Sequence, residues 1–106
     1  MPKYLFQANY TVEGAKGIHK DGGTARRAAV QKAVAELGGR LEAFYFAFGG
    51  TDVYTIVELP DNTTAAAMAM AVAESGKASA HTTVLLTPEE IDAAAKKNVA
   101  YRGPGG

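Results

Sequence analysis

Read for its alternation of apolar and polar positions, the chain divides into four short strands interleaved with helical stretches. Residues 4–10 alternate, with Tyr4, Phe6, Ala8 and Tyr10 on one side and Leu5, Gln7 and Asn9 on the other, which predicts a first strand. The segment TVEGAKGIHKDGG (11–23) holds four glycines and few apolar side chains, and it reads as a long connection. Thr24 then opens a helix whose apolar stripe is Ala29, Val30, Ala33, Val34 and Leu37, ended by Gly38-Gly39. Two β-type runs follow, Leu41–Phe48 and Asp52–Leu59, joined by a Gly49-Gly50 turn. Pro60 closes the second run, and Asp61 or Asn62 caps a helix that runs to about Ser75, where Gly76 stops it. Ala78–Leu86 is the fourth predicted strand. Thr87-Pro88-Glu89-Glu90 then supplies an N-cap, a first-turn proline and a capping-box glutamate for a last helix reaching about Asn98.

The order β-α-β-β-α-β plus a C-terminal helix predicts an α+β fold of ferredoxin-like type. Its four-stranded antiparallel sheet would carry both crossover helices on one face. One domain spans residues 1–100, and 101–106 form a flexible tail. The strands, however, are apolar on both sides. Phe44, Phe46 and Phe48 oppose Tyr45 and Ala47, while Val53, Thr55, Val57 and Leu59 oppose Tyr54 and Ile56. Helices on one face leave the other uncovered, with more apolar surface than a soluble monomer usually exposes. The expectation is a homodimer whose open sheet faces meet as a closed barrel flanked by helices, with a higher oligomer as an extension.

Composition narrows the function classes. Eleven basic and eleven acidic residues cancel, so no net field draws the protein to nucleic acid or an anionic membrane, and neither is an expected partner. Cysteine is absent, which removes disulfides and thiolate chemistry and fits a reducing, cytoplasmic setting. The first residues show no secretory leader pattern. The longest apolar run, Ala65–Ala73, falls well short of the roughly 20 residues that span a bilayer.

Five places could carry chemistry. Asp52 follows the Gly-Gly turn, where its carboxylate would accept backbone N–H groups and pin the hairpin. Glu58 lies inside a strand on the side of Tyr54 and Ile56; it is either a general base in an apolar cleft or one end of a salt bridge with Arg40 or Lys3. His81 is the one strand histidine, a candidate catalytic partner or a hydrogen-bonded structural residue. In this fold a strand separates it from Glu58, about 9–10 Å away if level, so a direct pair is not expected. The glycine-rich connection brings Lys16, His19 and Lys20 towards a helix start carrying Arg26 and Arg27. Cations there are disfavoured by the helix dipole, which points to an anion held between arginine forks and free N–H groups. The plainer reading has both arginines turned to solvent or paired with Glu13 or Asp21. Last, the helix AAAMAMAVA, with Met68 and Met70, either packs tightly or leaves an apolar pocket.

Several strings in order, YTVEGAKG, LGGRLEAFYFAFG, TDVYTIVELPD and LLTPEEID, resemble the GYD-domain family of small bacterial proteins over roughly Tyr4 to Ala95. That resemblance implies the dimeric α/β-barrel version of the ferredoxin-like fold. It transfers no activity, and the triplet Gly50-Thr51-Asp52 holds threonine where the family has its central tyrosine.

The expected function is small-molecule binding by a homodimer. The pocket would lie between sheet and helices, with residues 14–23 as its rim, and the ligand would be partly apolar and anionic. Ligand contacts would come from Arg26, Arg27, His19, Tyr45 and Tyr54. The alternative is a cofactor-independent oxygenase or isomerase with Glu58 or His81 as base; a third reading is an assembly or regulatory module without a pocket. Both pocket readings expect a closed cavity lined by Glu58, His81 or Tyr54. No dinucleotide or Walker fingerprint and no histidine-carboxylate spacing is present, so neither a cofactor nor a metal is expected. A haem would have only His19 or His81 to rest on.

Overall fold

The computed structural model describes residues 1–47 and 49–106. In chain order the elements are β1 (Lys3–Tyr10), α1 (Val12–Asp21), α2 (Gly23–Glu36), β2 (Arg40–Phe46), β3 (Val53–Glu58), α3 (Asn62–Glu74), β4 (Ala78–Leu85) and α4 (Pro88–Ala95). The strands form one sheet in the order β2-β3-β1-β4, with every neighbouring pair antiparallel. This is an α+β fold with the strand order expected of a ferredoxin-like unit. Phe48, the predicted end of the second strand, lies outside the described residues.

The parity read from the sequence sorts the two faces correctly. Tyr4 and Phe6 of β1, Val57 of β3 and the adjoining Leu59 turn to the helices and are buried with Val34 of α2 and Ala65 of α3. Val30, Leu41, Met68 and Ala80 pack around that cluster. Leu5, Gln7, Tyr54 and Ile56 point the other way, onto a face that no helix covers. There Tyr54 and Tyr45 are well exposed, and Gln7, Leu5 and Ile56 only partly so.

One predicted connection is a helix. Residues 11–23 are not a loop: Thr11 caps α1 by accepting from the Gly14 amide at 3.3 Å, and the helix runs ten residues to Asp21. Gly22, at φ 85°, turns the chain directly into α2. Its glycines had argued against a helix, but α1 is tied down at its start. The Thr11 amide donates to the Lys77 carbonyl at 2.9 Å and the Thr11 hydroxyl to the Gly76 carbonyl at 3.1 Å.

The C-terminal helix also behaves as its sequence dictates, with the full capping box of Thr87 and Glu90 in place. Yet every residue from Leu86 onward is exposed, and α4 has no substantial packing partner among the described elements.

Candidate functional site

The chain's small side chains open a space on the helical side. Glycine and alanine on the facing surfaces of α1, α2 and α3 (Gly17, Ala25, Ala29, Ala71) cannot fill the gap between those helices, and a half-open cavity of about 380 Å³ remains. Met68 and Val72 of α3 form its apolar floor, while Asp21, Ser75 and Lys77 stand around it. Deeper, against the sheet, lies a second pocket of about 50 Å³ with walls of Phe6, Phe44, Val53 and Val57. Arg26 borders both spaces. Its Nε is buried without a hydrogen-bond partner, and it forms no ion pair among the described residues. A desolvated guanidinium N–H with nothing to donate to is costly, and native proteins seldom leave one so.

The candidates named from sequence do not gather at this site. Arg26 is there, and residues 14–22 do form its rim, as helix α1. Arg26 and Arg27 sit just past the first turn of α2, because that helix begins at Gly23. Arg27 lines a separate shallow hollow with Gln31, Glu42 and Tyr45 beside β2. His19 lies with Val12, Lys16 and Lys20 on a third, more open surface of α1.

The others occupy the open sheet face. The register pairs Tyr45 with Tyr54, Tyr54 with Gln7 and Gln7 with His81, so these four side chains form one row across all four strands. Glu58 is in a different row, opposite Lys3 and Arg40, four residues along β1 from the level of His81. The expected cavity lined by Glu58, His81 or Tyr54 is therefore corrected. None of them lines the two helix-side spaces, because odd positions of β1 and even positions of β3 face away from the helices. The Met70 side chain is also misplaced by the sequence reading: it turns outward from α3, and only Met68 reaches the cavity.

Electrostatics assign plain roles to three carboxylates. Glu58 Oε2 accepts from Arg40 Nε at 2.7 Å, and this bond, opposed in part by burial, holds the Glu58 carboxyl below its ordinary range. A carboxylate so held is a weak proton acceptor, so the salt-bridge reading of Glu58 fits. Asp52 accepts from the Tyr10 amide at 2.9 Å, while its own amide donates to the Ala8 carbonyl at 3.0 Å. It thus pins the hairpin onto β1. Asp61 caps α3 by accepting from the Thr64 hydroxyl and amide, which lower its pKa. Tyr4 donates to Asn62 at 2.6 Å, and burial, helped by the Asp61 charge, raises its phenol.

The sequence places the cavity's rim in a loop rather than in helix α1, and it gives no sign of the contribution of Tyr10. The available signal was Thr11 followed by Glu13, an N-cap with an acid in the first turn. Among the described residues no cluster of three or more histidines and carboxylates could hold a metal ion, and no helix is long and apolar enough to cross a membrane.

No curated protein and no solved structure matches the chain. The family model described as GYD domain matches residues 4–95, which takes in every strand and helix from β1 to α4 and both walls of the cavity. The chain belongs to the GYD domain family.

Proposed function

We propose that this chain works as a homodimer that binds a small, partly apolar molecule in the cavity between its helices and sheet. The observation that carries the reading is the cavity itself, about 380 Å³, at the low end of the roughly 300–1,000 Å³ of ligand sites. Its walls are mostly small and apolar, and Arg26, which borders it, forms no ion pair among the described residues. Dimerisation through the open sheet face covers Leu5, Ile56, Tyr54 and Tyr45, which otherwise stay in water.

Native mass spectrometry of the protein purified from its own cell, beside a Gly17→Phe variant, tests both halves. A β-carbon at Gly17 meets nothing within 4 Å, so phenylalanine there fills the cavity without a backbone clash. The expected spectrum shows a dimer carrying a small molecule, and the Gly17→Phe dimer empty. A monomer mass overturns the dimer; a ligand equally retained by Gly17→Phe overturns the cavity as its site.

The row of Tyr45, Tyr54, Gln7 and His81 favours a second reading, an enzyme acting between the paired sheets with His81 as base. Glu58, committed to Arg40, has no part in it. A retained ligand that survives Gly17→Phe but is lost on His81→Ala would support this reading over the first.

A further inference from the structure

We propose that the helix-side cavity takes an organic carboxylate, its apolar body against Met68, Val72 and Ala29 and its carboxylate on Arg26. The inference rests on the cavity reading above and specifies the ligand class. Arg26 borders both the outer cavity and the inner apolar pocket. It has no acidic partner among the described residues. A planar carboxylate is the group that pairs with a guanidinium through two parallel hydrogen bonds.

Charge decides among anions. The outer cavity is bordered by two cations, Arg26 and Lys77, and one acid, Asp21, a formal balance of +1. A monoanion brings the site to neutrality. A phosphate dianion would leave an excess negative charge beside Asp21. A neutral ligand could accept a hydrogen bond from Arg26 but would leave its charge without a counter-ion. The walls carry the same message: beyond Arg26, the inner pocket offers Thr55 as its one polar side chain apart from the Tyr10 ring hydroxyl, and the Thr55 hydroxyl already donates to the Phe6 carbonyl at 3.4 Å. Nothing there would satisfy the several hydroxyls of a sugar or the ring nitrogens of a nucleobase.

The test is calorimetric titration of the intact protein with octanoate and phenylacetate, each beside its alcohol counterpart (octanol, phenylethanol), and with inorganic phosphate. Wild type, Arg26→Met and Gly17→Phe are compared, folding of each being checked by circular dichroism. The expected result is at least one carboxylate binding tenfold or more tighter than its alcohol, with the difference abolished in Arg26→Met and both affinities lost in Gly17→Phe. Arg26→Lys, which keeps the charge but not the fork, should retain part of the preference. Alcohols binding as tightly as the acids overturn the carboxylate inference and leave the cavity reading standing. Phosphate binding as tightly as the acids, with the same dependence on Arg26, overturns the monoanion. No binding by any probe, or binding that Gly17→Phe leaves unchanged, overturns both readings.

Discussion

Glu58 and Arg40 show how much a single pair can settle. The Glu58 side chain is 15% exposed and that of Arg40 66%, so the acid is the partner that depends on the contact. Burial alone would push the carboxyl up; the Arg40 hydrogen bond outweighs it and brings the pKa below the ordinary range of a glutamate. A carboxylate with a depressed folded-state pKa contributes stability above its unfolded pKa. That contribution fades as pH falls through the lower folded value. Acidification from about pH 5 downward should therefore destabilise the wild type partly through this group. In Arg40→Met the Glu58 titration, followed by carboxyl NMR, should move upward, and the variant should be less stable near neutral pH while losing less of its stability on acidification. Identical Glu58 titrations in the two proteins would show that Arg40 is not what holds the acid ionised.

Among the elements, α1 carries the sharpest lesson, because its glycines serve opposite ends. At Gly14 an added β-carbon would come within 2.0 Å of the Lys77 carbonyl oxygen, where α1 crosses the turn between α3 and β4. At Gly17 the same atom meets open space. Gly14→Ala must push two backbones apart and should cost about 1–3 kcal/mol or more, as overpacking does. Gly17→Ala should instead stabilise by up to about 1 kcal/mol, the ordinary helix gain over glycine. Urea denaturation reads both, and equal effects at the two positions would contradict this placement of α1. The same two residues explain what the sequence could and could not reveal. The strands, α2, α3 and α4 were legible because alternation, apolar stripes and caps agreed with one another. In α1 propensity pointed to a loop and tertiary packing prevailed, since Gly14 is required by a close approach some 60 residues away in sequence and that pairing leaves no local trace. The site was half legible for a related reason. Parity correctly put Tyr54, Ile56 and Glu58 on one side of β3, but with both faces apolar it could not say which side the helices would take. Arg26 was found as a cation near a helix start; that it borders the cavity depends on how α1, α2 and α3 come together, which leaves no local trace.

As a whole the molecule is longer than a self-contained domain should be. Its radius of gyration is 16.8 Å and its longest dimension 55 Å, whereas a compact chain of 106 residues has a radius near 13 Å. The excess goes with α4 and the residues after it, which are exposed throughout. An eight-residue helix standing alone in water is marginal even when well capped, since isolated helices below about 12–15 residues rarely persist. The apolar Ile91 on α4 and the Leu86 and Val84 that precede it are about half exposed. So the chain leaves two apolar surfaces uncovered, the arm and the open sheet face, and the proposed second copy supplies cover for both. The end of that sheet face bears Lys3 and Arg40 beside Glu42 and Glu58, already paired within the chain, so two such faces meet without a net charge between them. Ile56, flanked by Leu5 and Ala43 near the middle of the face, is the position at which to probe it. Ile56→Lys places a charge where a lone chain meets water and a dimer meets its twin. Light scattering at micromolar concentration should give twice the chain mass for the wild type and the single-chain mass for Ile56→Lys, with the circular dichroism of α2 and α3 retained. A wild type at the single-chain mass ends the dimer proposal, and a variant that stays dimeric moves the contact off the open sheet.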